Sequence, residues 1–207
     1  RFGGPFAFAA RGVAVASSCA EVARTSDVVM TMIGQVADEL DVVLGRAGVL
    51  EGARPGLTLI DSSTVGIVAS RKMAAAAGEK GVVFLDAPVS GSIGPAAEGK
   101  LGFMVGGDPQ ALANVRPVLE AMGEKVIHVG PNGAGSAMKV ILNLMIGMTV
   151  LTVAETITLG RQAGLDPLQM LEILGESSVR SPHLVNKGQQ MIDGRIDPAF
   201  ALKYMQK

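Results

Sequence analysis

The chain has 207 residues, of which 48% are hydrophobic, 18% charged and only 3% aromatic, and its formal net charge is -1. This length suits one large domain or two small ones, and the balanced charge with few aromatic side chains argues against a nucleic-acid-binding protein. Because Cys19 is the single cysteine, an intrachain disulfide is excluded and a reducing compartment such as the cytoplasm is expected.

Strand-like and helical patterns alternate through the first two thirds of the chain. Short apolar segments rich in β-branched residues occur at residues 26–33, 57–64, 81–92, 101–108 and 125–133. Helical patterns lie between them, at residues 35–47, 65–78 and 109–122. This alternation predicts an α/β domain with a mainly parallel sheet.

The strand-like segments stop after Gly133. Residues 134–163 are predicted to form one long helix, and further helical segments begin near Asp166, Ser181 and Asp197. Residues 140–154 carry no charge, but this run is shorter than the roughly 20 residues that a membrane span needs. We therefore expect this helix to be buried in the protein. Because the strand-like segments stop at Gly133, we expect an α/β domain at residues 1–132 and an all-α domain at residues 133–207.

The segment "GAGSAMK", residues 133–139, looks at first like a dinucleotide-binding loop. That fingerprint needs a third glycine, where Met138 stands, and a helix of ordinary length followed by another strand. Gly133 and Gly135 are better explained as residues that let the chain turn into a long helix with close backbone packing. Lys139 and Asn143 then lie four residues apart, on one face of that helix.

Lys139 is a candidate general acid and base. A lysine ammonium beside apolar side chains loses solvation, which lowers its pKa towards neutrality and suits it to donate a proton during carbonyl reduction. The Asn143 amide could bind a substrate hydroxyl or hold the lysine. The alternative is a lysine whose stem packs at the start of a helix, beside an asparagine that is buried only by packing.

Polar residues follow two of the predicted strands. Ser63 and Thr64 come after the second strand, and Ser90, Gly91 and Ser92 come after the third. Two hydroxyls and accessible backbone amides could hold a carboxylate, although an ordinary serine-glycine turn has the same composition. Ligands of open α/β sheets bind at the carboxyl ends of strands, so we expect these clusters to share one rim with Lys139.

Several motifs, in this order, resemble the β-hydroxyacid dehydrogenase family. They are "DSSTV" at 61–65, "FLDAPVSGS" at 84–92, "FMVGGD" at 103–108, Gly-x-Gly-x-x-x-Lys…Asn at 133–143, and "AFALKYMQK" at 199–207. The family includes 3-hydroxyisobutyrate dehydrogenase, tartronate semialdehyde reductase and the glyoxylate/succinic semialdehyde reductases. The resemblance implies a Rossmann domain and an all-α domain joined by a long helix. It also implies homo-oligomers that transfer hydride between NAD or NADP and a small 3- or 4-hydroxy acid.

The resemblance also assigns roles to single positions. Lys139 matches the catalytic lysine, and Asn143 matches a substrate-binding residue. Ser90, Gly91 and Ser92 match the loop that binds the substrate carboxylate, with Ser92 similar to the "VSGS" loop of semialdehyde reductases. The positions that match cofactor contacts are Met32, Ile33, Gly34, Thr64 and Lys207.

The family's Gly-x-Gly-x-x-Gly motif is not found in residues 1–20. We therefore expect the first βαβ unit, which binds the pyrophosphate and selects NAD or NADP, to be missing, as in a fragment. These 207 residues alone are then expected to bind either cofactor weakly.

Two other functions stay open. A 6-phosphogluconate-type decarboxylating dehydrogenase shares the Lys-x-x-x-Asn pattern, but it would have His-Asn where Leu142 and Asn143 stand. A non-catalytic dimerisation module would explain the missing nucleotide loop but not the presence of Lys139. A metal site is not expected, because His128 and His183 lie far apart without neighbouring ligand patterns.

Overall fold

The computed structural model describes residues 9–195, so the predictions for residues 199–207, including Lys207, lie outside the described residues. The chain divides into two compact units, with the division between Lys139 and Val140. The first unit contains a sheet with helices, and the second contains helices.

The first unit is built on a mixed sheet in which parallel pairs dominate. Its strands are β1 (Val28–Thr31), β2 (Thr58–Asp61), β3 (Val83–Asp86), β4 (Val89–Ser90), β5 (Leu101–Gly106) and β6 (Gly123–Gly130). The order is β1-β2-β3-β5-β4, and β6 pairs with β5. The pairs β1–β2, β2–β3 and β5–β6 are parallel, whereas β5 runs antiparallel to β3 and β4. The predicted Rossmann-like α/β fold is confirmed.

The predicted strand segment 81–92 forms two strands rather than one. It is interrupted at Ala87 and Pro88, and the short β4 pairs with β5 in the antiparallel direction. A proline has no backbone N–H to contribute to a ladder, so it breaks a continuous strand. The carbonyl of Pro88 still accepts a hydrogen bond of 3.0 Å from the Met104 N–H.

Helices cover the sheet on both faces. They are α1 (Cys19–Arg24), α2 (Val36–Leu44), α3 (Val49–Gly52), α4 (Ile67–Glu79), α5 (Ile93–Ala97) and α6 (Pro109–Glu120), after which α7 (Ala134–Gln162) begins. The predicted helices at 35–47, 65–78 and 109–122 are confirmed as α2, α4 and α6. The Asp108 side chain accepts a hydrogen bond from the Ala111 N–H at the start of α6, and Pro109 occupies its first turn.

Alternate residues of each central strand enter different hydrophobic cores. Leu59 of β2 packs in a cluster with Met73 of α4, whereas its neighbour Ile60 packs with Leu112 and Leu119 of α6. Successive side chains of a strand point to opposite faces, so a sheet covered on both sides needs apolar residues in sequence. Each such buried side chain contributes about 1.5–3 kcal/mol to folding.

The second unit is helical. It contains the part of α7 from Val140 onward, α8 (Pro167–Gly175) and α9 (Pro182–Ile192). Its core consists of Val153, Ile157, Leu171 and Leu184. A side chain at Gly188 would place a Cβ atom 2.6 Å from Leu171 Cδ1, so the glycine allows α9 to pack closely.

The long helix is confirmed, but the expectation that it is buried is wrong. Only 11% of its most apolar 18-residue window is buried, and Leu144 and Met145 are each 62% exposed. Apolar residues occur on all sides of this helix. Its buried residues in the described part of the second unit, such as Val153 and Ile157, lie on one side. By length and composition alone α7 could cross a membrane. Length and composition alone do not identify a membrane span, because the core helix of a soluble protein can be equally long and apolar.

Candidate active site

The carboxyl ends of three neighbouring parallel strands lie in register. Thr31 of β1 pairs with Asp61 of β2, which pairs with Asp86 of β3. All three residues are buried. The loops that follow β1 and β2 therefore leave the sheet side by side, at the edge where open α/β sheets bind their ligands.

Two of the segments predicted to contact a cofactor are joined by a hydrogen bond. The Ile33 N–H, in the loop after β1, donates to the Ser63 hydroxyl, in the loop after β2, over 2.9 Å. Met32 is 64% exposed, Gly34 is exposed and Thr64 is half-buried. The structure therefore brings the Met32–Gly34 loop together with the Ser63–Thr64 loop and leaves parts of both accessible.

A buried acidic cluster lies beneath these loops. The Ser63 hydroxyl donates to Glu39 Oε2 over 2.9 Å, and the Ser63 N–H donates to Asp61 Oδ1 over 2.8 Å. Burial, and then the charge of Glu39, raise the pKa of Asp61 to about 7, although both Ser63 hydrogen bonds act to lower it. Sequence analysis missed Glu39, because one glutamate in an amphipathic helix is typical of a solvent-exposed position.

The start of α7 is anchored on the end of β3. Asp86 Oδ1 accepts a hydrogen bond from the Gly133 N–H and Oδ2 accepts one from the Ser136 N–H, each at 2.7 Å. Gly133 has a φ of +91°, and a Cβ atom at Gly135 would overlap the Met104 carbonyl oxygen and lie 2.6 Å from that of Asp86. The interpretation of "GAGSAMK" as a turn into a closely packed helix is confirmed.

Lys139 lies about one helical turn after Ser136, and it is half-buried. Burial lowers the pKa of its ammonium, in the direction predicted from the sequence. Asn143 follows one turn later on α7, in the second unit, and is half-buried there. The catalytic role of Lys139 and the substrate-binding role of Asn143 stay predictions.

The predicted carboxylate loop lies at the outer end of β4. Ser90 is the last residue of β4 and pairs with Gly102, and Gly91 has a φ of +117°, which favours glycine. Ser92 is exposed at the start of α5, and its hydroxyl makes no capping hydrogen bond. The hydrogen bonds of the described residues connect this loop neither to Lys139 nor to Ile33, so its role stays a prediction.

The His128 side chain is within hydrogen-bonding distance of the backbone. It lies in β6, and its Nε2 is 2.8 Å from the Gly107 carbonyl oxygen. Within residues 9–195, no three or more His, Cys, Asp and Glu side chains are grouped so that they could hold a metal ion.

Comparison with known proteins defines the class. The NAD-binding domain of 6-phosphogluconate dehydrogenase matches residues 6–130, and the NAD-binding domain of NADP-dependent 3-hydroxyisobutyrate dehydrogenase matches residues 133–207. Together with the Rossmann-like sheet, these matches define an NAD(P)-binding oxidoreductase. The chain belongs to the β-hydroxyacid dehydrogenase family, and the expected cofactor class, NAD or NADP, is confirmed.

Individual relatives agree with this assignment. The chain is 36% identical to 2-(hydroxymethyl)glutarate dehydrogenase of Eubacterium barkeri over 97% of its own length and 67% of the relative's. It is 39% identical to a probable mitochondrial 3-hydroxyisobutyrate dehydrogenase of Dictyostelium discoideum, over 82% of the chain and 53% of the relative. A structure of Mycobacterium tuberculosis 3-hydroxyisobutyrate dehydrogenase with L-serine has a TM-score of 0.76 at 32% identity, covering 92% of this chain and 76% of that one. The chain thus spans about half to two thirds of the length of these two sequence relatives.

Proposed function

We propose that this chain is part of an enzyme that transfers hydride between NAD or NADP and a small 3- or 4-hydroxy acid or its semialdehyde. The observation that carries the proposal is Lys139, a half-buried lysine with a lowered pKa. It follows by one turn Ser136, whose N–H binds Asp86 at the end of β3, and this supports the proposal. The relatives named above act on hydroxy acids by their names, which supports the same substrate class here.

Lys139 is suited to donate and accept the proton that is transferred together with the hydride. In reduction, its ammonium Nζ donates a proton to the carbonyl oxygen as the carbonyl carbon gains the hydride. In oxidation, the neutral amine takes the hydroxyl proton back. The nicotinamide, when bound, supplies or accepts the hydride. Asn143 is assigned to substrate binding by the resemblance of its position to the family's substrate-site residue.

The residues at the strand edge fit a nicotinamide cofactor. The Met32–Gly34 loop and Thr64 offer backbone groups and a hydroxyl on neighbouring loops, and Gly34 has no side chain to block close approach. The carboxamide of the nicotinamide and the hydroxyls of its ribose are groups that such backbone amides and hydroxyls bind. Ser90, Gly91 and Ser92 would bind the substrate carboxylate. Lys207 is assigned to the cofactor by resemblance, and it lies outside the described residues.

Turnover assays on the natural full-length protein test the proposal. We expect small semialdehydes bearing a carboxylate to consume NADH or NADPH, with the hydroxy acid as product. Release of CO₂ from 6-phosphogluconate would instead favour the decarboxylating dehydrogenase. A protein that binds neither cofactor would favour the non-catalytic dimerisation module.

We further propose that the protein forms a homo-oligomer, a dimer or tetramer, in the cytoplasm. Exposed apolar side chains on α7, such as Leu144 and Met145, support self-association. Light scattering on the natural protein measures the oligomeric state, and a monomer at micromolar concentration would contradict this proposal. Cell fractionation tests the location.

A further inference from the structure

The Ser63 hydroxyl connects a predicted cofactor loop to a buried acid. It accepts a hydrogen bond from the Ile33 N–H and donates one to Glu39 Oε2, each over 2.9 Å. A serine hydroxyl has a single proton, so giving that proton to Glu39 leaves its lone pairs directed at Ile33. Ser63 is 2% exposed and Glu39 is fully buried, so water does not compete for the hydrogen bond between them.

Glu39 is a carboxylate in a buried position of α2, where an apolar residue is typical. Among the described residues it forms no ion pair, and its Oε1 atom is buried without a hydrogen-bond partner. A buried acid without a cation is costly, and an apolar residue would pack in a helix at lower cost. Within residues 9–195, the contact that needs an acceptor at this position is the hydrogen bond from Ser63.

We propose that Glu39 and Ser63 are positioning residues for the nicotinamide cofactor. Glu39 fixes the Ser63 hydroxyl, and Ser63 fixes the Ile33 amide. The flanking Met32 and Gly34 are thereby held at the ligand edge in an exposed conformation. The inference rests on the proposed function, since that function assigns the Met32–Gly34 loop to the cofactor.

The charges around this cluster agree with such a role. The acids that face it are Glu39 from α2, Asp61 from β2 and Asp86 from β3. Burial and the charge of Glu39 raise the pKa of Asp61 to about 7, so Asp61 keeps its proton below neutral pH. The Oδ2 atom of Asp61 has no hydrogen-bond partner in the described part of the chain.

The adjacent serine provides a matched control. Ser62 is also buried, at 1% exposure, but its hydroxyl has no hydrogen-bond partner among the residues that the structure describes. Ser63→Ala and Ser62→Ala therefore remove the same group from neighbouring positions, and only the first breaks the connection to Ile33. Glu39→Gln keeps an acceptor for Ser63 without the charge, whereas Glu39→Ala removes the acceptor.

The test measures dissociation constants for NADH and NADPH, and hydrogen exchange of the Ile33 amide, in the natural full-length protein. Ser63→Ala and Glu39→Ala should weaken binding of the preferred cofactor about tenfold, the usual effect of one lost hydrogen bond, and speed exchange at Ile33. Ser62→Ala should change neither, and Glu39→Gln should restore most of the affinity lost in Glu39→Ala. A residue that only stabilises the fold would lower the melting temperature without changing the affinity of the folded protein.

Three outcomes overturn the inference. Folded Ser63→Ala protein that binds cofactor as tightly as the unaltered protein would show that Ser63 does not position the loop. Equal losses in Ser62→Ala and Ser63→Ala would assign the effect to packing. If Ser63→Ala does not fold, Ser63→Cys replaces it, because a thiol has a similar shape but is a weak acceptor. Unchanged cofactor affinity and unchanged Ile33 exchange in Ser63→Cys would likewise show that Ser63 does not position the loop. Unaltered protein that binds neither cofactor would overturn the proposed function itself, and this inference with it.

Discussion

The Asp86 carboxylate and the Ser136 backbone N–H form a 2.7 Å hydrogen bond that ties the first turn of α7 to the end of β3. The second carboxylate oxygen holds the Gly133 N–H over the same distance. Asp86 thus satisfies two of the backbone donors that a helix N-terminus leaves unpaired, and its negative charge suits the helix dipole. Because Lys139 follows Ser136 by one turn, these bonds also set the position of Lys139.

Asp86→Asn should destabilise the protein. The amide nitrogen of Asn would face one of the two backbone N–H groups, so one hydrogen bond is lost and two donors oppose each other in a buried site. We expect the free energy of unfolding, measured by chemical denaturation, to fall by about 1–3 kcal/mol. Asp108→Asn is the control, because the Asp108 side chain caps α6 through one N–H, and Asn caps helices about as well. Equal effects of the two substitutions would contradict the anchoring role.

Sequence patterns predicted the parts of this fold that depend on residues close together in the chain. The strands, the helix beginning at Ala134 and the turn at Gly133 follow from periodicity and glycine placement. The same patterns could not reveal the anchor at Asp86, because its partners lie 47 and 50 positions away. An aspartate at the end of a strand is typical of a turn, and only the packed structure shows what Asp86 binds.

Burial was harder to predict than secondary structure. Glu39 looks like a solvent-exposed residue of α2 but is fully buried, whereas Leu144 looks like a core residue of α7 but is 62% exposed. In both cases the sequence defines the helix correctly, and the neighbouring elements decide which side is covered. The predicted fall in the Lys139 pKa is confirmed in direction, because burial removes solvation from its ammonium.

Lys139→Ala should lower turnover by roughly 10²- to 10⁴-fold, the usual contribution of a positioned acid and base. Cofactor affinity should change little. Lys139→Arg should be nearly as damaging, because arginine keeps the charge but does not release its proton in this pH range. Steady-state kinetics and cofactor titration on the natural full-length protein measure both effects.

The exposed Lys72 on α4 supplies the control for this substitution. Lys72→Ala removes the same kind of side chain from an exposed position outside the predicted site and should leave turnover unchanged. If Lys139→Ala keeps turnover within about threefold of the unaltered protein, Lys139 has no part in proton transfer.

The loop at Ser90, Gly91 and Ser92 should make the enzyme prefer substrates that carry a carboxylate. Each lost hydrogen bond to a charged group costs about 1–3 kcal/mol. Ser92→Ala should therefore lower kcat/KM for an acidic semialdehyde about tenfold or more, mainly through KM, and should leave an uncharged aldehyde of the same length unaffected. If kcat/KM of the unaltered protein is equal for the two substrates, the loop does not bind a carboxylate.

Asp61 should make the stability of the first unit depend on pH. Its pKa is raised from 3.8 to about 7 in the folded protein, so between these values the folded state keeps a proton that the unfolded state has lost. The free energy of unfolding should therefore fall as pH rises through this window, by at most about 1.4 kcal/mol per pH unit, and level off above pH 7. Asp61→Asn removes the titration and keeps an acceptor for the Ser63 N–H, so its stability relative to the unaltered protein should rise over the same window. Denaturation at a series of pH values measures this difference, and Ser62→Ala, which removes no titratable group, should show none. A difference between Asp61→Asn and the unaltered protein that does not change with pH would mean that Asp61 is ionised throughout.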